Sequence, residues 1–327
     1  MVLAKMLRPL AASAGYTTKG RFWEWVPASY DKLEQVERKI WKKAIPSTPF
    51  EMTKVAKLGT VIVPCTDKEK VKSGKVDNLV LVHGFAGGNA VWAMNLAALA
   101  QHFNVNGSVW PDLIVQIFHT GIANEFVLSN FESWRKELEL DKFHLCAHSM
   151  GAIFASSYAI QNPQNVNARR SSWVRRMAIS AWENGVTPMS IARFVGPYGP
   201  QLVSNVLTRR ISGSVDLNDL SEYIYHNWAL KASGEKTMTT HLAPGAYAVR
   251  PLTDMLQPET VPMPLTFIYG GESDWMDFRH GKKIVERFRA SGRDDADLYL
   301  VPFCGHQVFL DNPVDFNRTV VEAIVKA

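Results

Sequence analysis

Residues 144–154 read HLCAHSMGAIF, and the fold turns on what Ser149 does there. Upstream, "KFHLCA" is an apolar run of strand length. Downstream, "GAIFASSYAI" has the small, apolar composition of a buried helix, which Asn162 and Pro163 end. The pentad Ala147 to Gly151, small-x-Ser-x-small, is common by chance and gains meaning only from this strand–turn–helix setting. On such a turn a serine holds Oγ clear of the backbone, provided its neighbours are small enough for the chain to bend sharply. Gly151 is where a glycine is expected; Ala147 adds a methyl where glycine is usual.

A serine hydroxyl needs a base to be a good nucleophile, and the base needs an orienting acid. Two later apolar runs end in loops that carry both: "FIYGGESDWMD" presents Asp274 and "LVPFCGHQVFLD" presents His306. Three polar residues just past three strands belong at one sheet edge, which makes Ser149, Asp274 and His306 the candidate catalytic set. Asp277 is the alternative acid. His148 adjoins the serine but cannot readily face both it and an acid, so a structural role is expected. Cys304, beside Pro302, is read as a packing or loop residue. The loop "HGFAGG" follows the apolar run "LVLV", and the backbone N–H groups of Phe85 and Met150 are the expected oxyanion donors. No G-K-[ST], dinucleotide fingerprint or H-E-x-x-H occurs, so neither a cofactor nor a metal is expected.

Outward from these loops, Leu33, Val36, Ile40, Trp41 and Ala44 form the stripe of an amphipathic helix that Pro46 and Pro49 stop. "KLGTVIVPC" reads as an early strand and "DKEKVKSGK" as a polar turn. Leu79 to Val82 are continuously apolar, the mark of a strand covered on both faces. A helix follows over Val91 to Ala100, and "DLIVQIF" and "RRMAISAW" are further strand candidates. Phe131, Trp134 and Leu138 mark another helix. After Pro264 the alternation resumes through "PLTFIYGG", "GKKIVERFRA", "DLYLVPF" and "VDFNRTVVEAIVKA". Strands alternating with helices predict an α/β fold with a mostly parallel sheet flanked by helices.

The stretch from Glu183 to Pro264 differs: it is rich in proline, contains "EYIYHNW" and has no buried-type strand. It reads as an inserted, mainly helical lid. The expected organisation is a basic, Trp-rich N-terminal segment (1–30), a first core part (31–182), the lid (183–263) and a second core part (264–327). Tyr223, Tyr225, Trp228, Leu242 and Tyr247 are expected to line an apolar groove over the serine. Arg193, Arg209 and Arg210 are candidates to meet a phosphate headgroup, solvated surface charge being the plainer account.

The formal net charge of +5 is mild and diffuse, compatible with anionic lipid surfaces and not with nucleic-acid binding. Cys65, Cys146 and Cys304 form no C-x-x-C, which suits a reducing, intracellular compartment. No apolar run is long enough to span a membrane. Residues 1–23 contain no acidic side chain, as in a frayed tail or a mitochondrial-type leader. Trp23 and Trp25 in "RFWEWV" suit peripheral contact with a membrane or lipid droplet, and packing against the domain explains them equally well.

With "FWEWVPASYDKLEQVERKI", "LVLVHGFAGG", "FESWRKELELDKFHLCAHSMG", "LSEYIYHNWALKASGE", "FIYGGESDWMD" and "GHQVFLDNPVDFN", the chain resembles the α/β-hydrolase superfamily. It is most similar to the branch holding the lipid-droplet co-activator of adipose triglyceride lipase, an N-acyl phospholipid hydrolase and the fungal cardiolipin deacylase. That resemblance implies a serine hydrolase cleaving acyl groups from phospholipids or N-acyl phospholipids, with Ser149 as nucleophile, Asp274 as acid, His306 as base, and Phe85 and Met150 at the oxyanion hole. It also implies two alternatives: acyl transfer to lysophosphatidic acid through the His306/Asp311 pattern, and a non-catalytic role beside a partner lipase. Residues 104–125 depart from the family's usual "D-x-x-G-x-G-x-S" loop.

Overall fold

The structure, a computed structural model, describes residues 27–108, 120–166, 187–211, 215–230, 241–243, 247–271 and 274–325. The expected strands at 112–118 and 175–182 and the Trp-rich start lie outside them.

Helix α1 (Tyr30–Ala44) begins where the Ser29 hydroxyl accepts from the Lys32 N–H and ends before Pro46, with Lys42 and Lys43 in its last turn. It buries Val36, Glu37, Ile40 and Trp41. A hairpin follows, β1 (Glu51–Val55) against β2 (Leu58–Val63), turning on Ala56 and Lys57 at φ 44° and 71°. The sequence reading missed β1, because such a turn is normally announced by Asn or Gly. The stretch read as a polar turn contains a short helix, α2 (Lys68–Ser73), capped by Asp67 and stopped at Gly74 with φ 66°. Next come β3 (Asn78–Val82), a 3₁₀ turn (Asn89–Trp92) running into α3 (Ala93–Leu99), and β4 (Asn104–Ser108). Then follow α4 (Thr120–Glu137), β5 (His144–Ala147) and α5 (Met150–Gln161).

The sheet order is β1-β2-β4-β3-β5, antiparallel at β1/β2/β4 and parallel at β4/β3/β5. Leu79 and Leu81 of β3 join an apolar cluster with Trp41, Trp92 and Phe309, whereas Val80 and Val82 join one with Trp134, Phe143 and Phe267. Both faces are buried, which is why the strand reads as an unbroken apolar run. Strand β4 was not recognised from "NVNGS", whose residue types are poor strand formers. It is central all the same: a Cβ on Gly107 would stand 2.8 Å from Val61 Cγ1, so the missing side chain lets β2 pack there.

From residue 187 the described chain is mainly helical: α6 (Pro188–Phe194), α7 (Gly199–Thr208), α8 (Leu217–Ala229), a small hairpin of β6 (Leu242–Ala243) and β7 (Tyr247–Ala248), and α9 (Leu252–Met255). Helix α8 packs on α1, α6 and α7. Lys39 and Lys43 of α1 both pair with buried Asp219 of α8, and Lys43 also reaches Asp216 at 2.8 Å. The chain then forms β8 (Leu265–Tyr269), α10 (Arg279–Ala290), β9 (Ala296–Leu300) parallel to β8, α11 (Val308–Asp311) and α12 (Pro313–Val325). Among the described residues no helix is long and apolar enough to cross a membrane.

Candidate active site

Strand β5 hands over to helix α5 through His148 and Ser149. The His148 N–H continues the ladder to Val82 O at 2.9 Å, and Ser149 then takes φ 52°, ψ −125°. Backbone there is costly for an L-residue and persists only when its surroundings impose it. Two glycines do so by letting backbone come close. A Cβ on Gly151 would stand 2.4 Å from His83 O, and one on Gly84 would stand 2.9 Å from Ser149 Cβ. The methyl of Ala147 is accommodated, buried in the same cluster as Val82 and Leu145.

Asp274 follows β8. Its carboxylate is 4% exposed, accepts from the Met276 N–H at 2.9 Å and the Gly270 N–H at 3.4 Å, and lies 3.3 Å from His306 Nδ1. Asp277 accepts from the Arg279 N–H at the start of α10 and is half-exposed. The structure therefore brings Asp274, not Asp277, to the histidine. His306 Nε2 is buried and has no hydrogen-bond partner among the described residues. Asp311 serves the same loop from below: its Oδ2 accepts from the Gly305 N–H at 2.9 Å. The Trp275 ring packs on His306, with centroids 4.6 Å apart.

His148 has the structural role expected of it. Burial, with the repulsion of the neighbouring His306, holds its pKa well below the ordinary histidine range, so the ring is neutral. Its Nε2 donates to His306 O at 3.1 Å, which fixes the tautomer and ties the elbow to the His306 loop. Cys304 is buried, its thiol pushed up to about 11 by desolvation, and donates to Pro302 O. It is a packing residue. Ser149, Asp274 and His306 line one narrow cavity of about 50 Å³.

After β3, the buried imidazole of His83 donates from Nδ1 to Gly84 O at 2.7 Å; desolvation lowers its pKa to about 4. The Gly87 N–H closes a turn onto Gly84 O at 3.3 Å, with Phe85 and Ala86 in the middle and Ala86 at φ 62°. Among the described residues neither the Phe85 nor the Met150 N–H has a backbone acceptor. Their side chains share an apolar cluster with Phe154 and Leu242.

The expected aromatic groove is corrected. Tyr223, Tyr225 and Trp228 are buried and none lines the Ser149 cavity. Tyr223 and Trp228 face the Gly84–Gly88 loop instead, and Tyr225 packs against Gly199 of α7. The side chain of Tyr247 lies outside the described ones. Arg193 is also reassigned: its guanidinium donates to Trp228 O at 2.7 Å and Leu230 O at 3.4 Å, satisfying carbonyls at the end of α8. The polar contacts of α8 with the loop were missed because "YHNW" reads only as an aromatic stripe.

Ser149, in strained backbone between strand and helix, thus shares its cavity with a carboxylate-bound histidine. The family model described as "Alpha/beta hydrolase family" matches residues 79–319, from β3 into α12. The chain belongs to the alpha/beta hydrolase family. Among its relatives are a 1-acylglycerol-3-phosphate O-acyltransferase of Arabidopsis thaliana, 29% identical over 92% of this chain and 82% of the relative, and a (lyso)-N-acylphosphatidylethanolamine lipase of Homo sapiens, 29% identical over 75% and 78%. Solved alpha/beta hydrolase structures with the same fold include a membrane phospholipase A described as a bacterial virulence factor (TM-score 0.62, 15% identity, covering 100% of this chain and 99% of that one). The carboxylesterase CesB of Bacillus subtilis is also similar (TM-score 0.60, 15% identity, covering 91% and 99%). At such identities the likeness establishes the fold alone.

Proposed function

We propose that the protein is a serine hydrolase that removes acyl groups from phospholipids or N-acyl phospholipids. The observation that carries the reading is His306, with Nδ1 3.3 Å from buried Asp274 and Nε2 unpartnered in a cavity that Ser149 shares. Asp274 holds the imidazole so that Nε2 is the free base. As Ser149 Oγ attacks the acyl carbonyl, Nε2 takes its proton and the Phe85 and Met150 N–H groups receive the oxyanion. His306 then protonates the departing lysolipid or amine. A water, deprotonated by the same nitrogen, cleaves the acyl-enzyme and restores the serine.

The lipid class rests on the relatives and on the surroundings of the hole. A cavity of about 50 Å³ admits little more than water, far below the ~300–1,000 Å³ of a ligand pocket. The acyl chain is assigned instead to the partly exposed Phe85 and Phe126, which pack on the buried cluster of Met150, Phe154 and Leu242 and where each methylene removed from water contributes roughly 0.8 kcal/mol. Acyl transfer is the second reading, favoured by the relatives named as acyltransferases. A lysophosphatidic acid hydroxyl would replace water in the second half-reaction, with Asp311 shaping the His306 loop through Gly305 rather than touching the acceptor.

The test uses the purified chain with a fluorophosphonate probe and a panel of phospholipids and lysophospholipids, with and without acyl-CoA. Wild type should be labelled and release fatty acid, and Ser149→Ala should do neither. Labelling that survives in Ser149→Ala refutes the nucleophile. Acyl gain on lysophosphatidic acid that is lost in Ser149→Ala favours the transferase, and preference for short soluble esters over every long-chain lipid refutes the lipid assignment.

A further inference from the structure

The oxyanion loop is held from behind by two side-chain donors of α8. Trp228 Nε1 donates to Ala86 O at 2.9 Å, and Asn227 Nδ2 donates to Gly87 O. One helical turn earlier, Tyr223 fills the space over Gly88, where φ is 144° and a Cβ would stand 2.3 Å from the phenol oxygen. The carbonyls these donors hold belong to the turn whose Phe85 N–H is assigned to the oxyanion.

That turn would not keep its shape unaided. Phe85 and Ala86 occupy its central positions, and only the second has positive φ, the sign pattern of a type II turn. Glycine or asparagine is favoured there, and this chain has alanine. A non-glycine residue in that region is strained and persists only where neighbours over-determine it. The closing hydrogen bond, at 3.3 Å, is long for that task. His83 Nδ1 holds the Gly84 carbonyl at its start, and the Ala86 and Gly87 carbonyls are held from α8, a segment some 140 residues along the chain. That helix is itself anchored to α1 through Asp216 and Asp219, and at its C-terminal end by Arg193.

We infer that Asn227 and Trp228 are positioning residues for the oxyanion hole, fixing the Ala86 and Gly87 carbonyls so that the Phe85 N–H points at the reacting acyl oxygen. This rests on the hydrolase reading and deepens it. A donor set before reaction stabilises the developing charge without reorganising; one on a loose loop binds substrate as well but stabilises the transition state less. The effect therefore falls on kcat rather than KM.

The test compares wild type, Trp228→Phe, Asn227→Leu and Asn227→Gln, hydrolysing p-nitrophenyl decanoate, with active sites counted by fluorophosphonate titration. Trp228→Phe keeps the buried ring and removes only the donor, so it carries the test if Asn227→Leu does not fold. The expected result is a fall in kcat per titrated site of roughly ten- to a hundredfold, less than the ~10²–10³ for deleting an oxyanion donor outright, with KM changed less than about threefold. The Ki of a decyl trifluoromethyl ketone, whose adduct carries the oxyanion, should rise in parallel, and Asn227→Gln should recover part of the loss. Unchanged kcat per titrated site, or a fall in kcat with unchanged Ki, overturns the inference while leaving the hydrolase intact. Wild type without Ser149-dependent labelling overturns both.

Discussion

Ser149 and His306 reach their positions through backbone more than through each other. The serine is bent into φ 52° by close contact of Gly84 and Gly151 with neighbouring chain, and the His306 loop is held by His148 through its carbonyl and by Asp311 through the Gly305 N–H. Among the described residues Asp274 is the charged group that pairs with an imidazole nitrogen of His306. Asp274→Asn should therefore lower kcat by about 10⁴-fold, because the amide stabilises the wrong tautomer. Asp277→Asn should stay within about twofold, since asparagine still accepts from the Arg279 N–H. Steady-state kinetics of the pair decides the matter, and equal losses in both variants would count against Asp274. The candidate set was legible in the sequence because each member lies just past an apolar run. Asp274 was preferred there to Asp277, three residues on, and the structure turns the Asp274 carboxylate inward and leaves Asp277 on Arg279.

At the scale of elements, the readable pieces were those whose burial is continuous or periodic. Strand β3 and the Trp134 face of α4 fall in this class, their side chains covered by the two large clusters. The β1–β2 hairpin was hidden because two ordinary residues occupy positions that call for asparagine and glycine. Lys57 at φ 71° is exposed and does not pack in the core, so its conformational strain is not offset by burial. Lys57→Gly should raise unfolding stability by about 0.5–1 kcal/mol, relieving the left-handed strain against the added freedom of the unfolded chain. Lys57→Val should lower it, since a β-branched residue tolerates that region worst. Urea unfolding of the three proteins would measure this, and indistinguishable midpoints would show that the turn is not strained. The contacts of α8 were illegible for another reason. Their partners are backbone carbonyls some 140 residues away, which leave no trace in local pattern.

Across the whole molecule, α1, β2 and α8 meet around Glu37. The α1 stripe anticipated Leu33, Val36, Ile40 and Trp41 but not this carboxyl, which lies one turn beyond Leu33 beside residues of β1, β2 and α8. Glu37 is buried and lines a cavity of about 310 Å³ with Thr60, Asn89, Tyr223 and Asn227. Desolvation pushes its pKa up to about 8 from an ordinary 4.5, with Glu34 acting in the same direction and Arg38 against it. Between those values the folded chain keeps a proton that the unfolded chain releases, so stability falls as pH rises through the window and levels off above about 8. The buried histidines His83, His148 and His226, with His102, have lowered pKa values and act with opposite sign. Their contribution grows as pH rises and is complete about one unit above the unfolded value of 6.5. The difference between wild type and Glu37→Gln cancels the histidines and isolates Glu37; between about pH 6.5 and 8 wild type should lose up to ~1.4 kcal/mol per pH unit relative to the variant. Glu37→Gln keeps the shape without the charge and should be the more stable protein at pH 8. Urea unfolding of both proteins at pH 6.5, 7.2 and 8 tests this, and parallel slopes would show that Glu37 is ionised in the folded state.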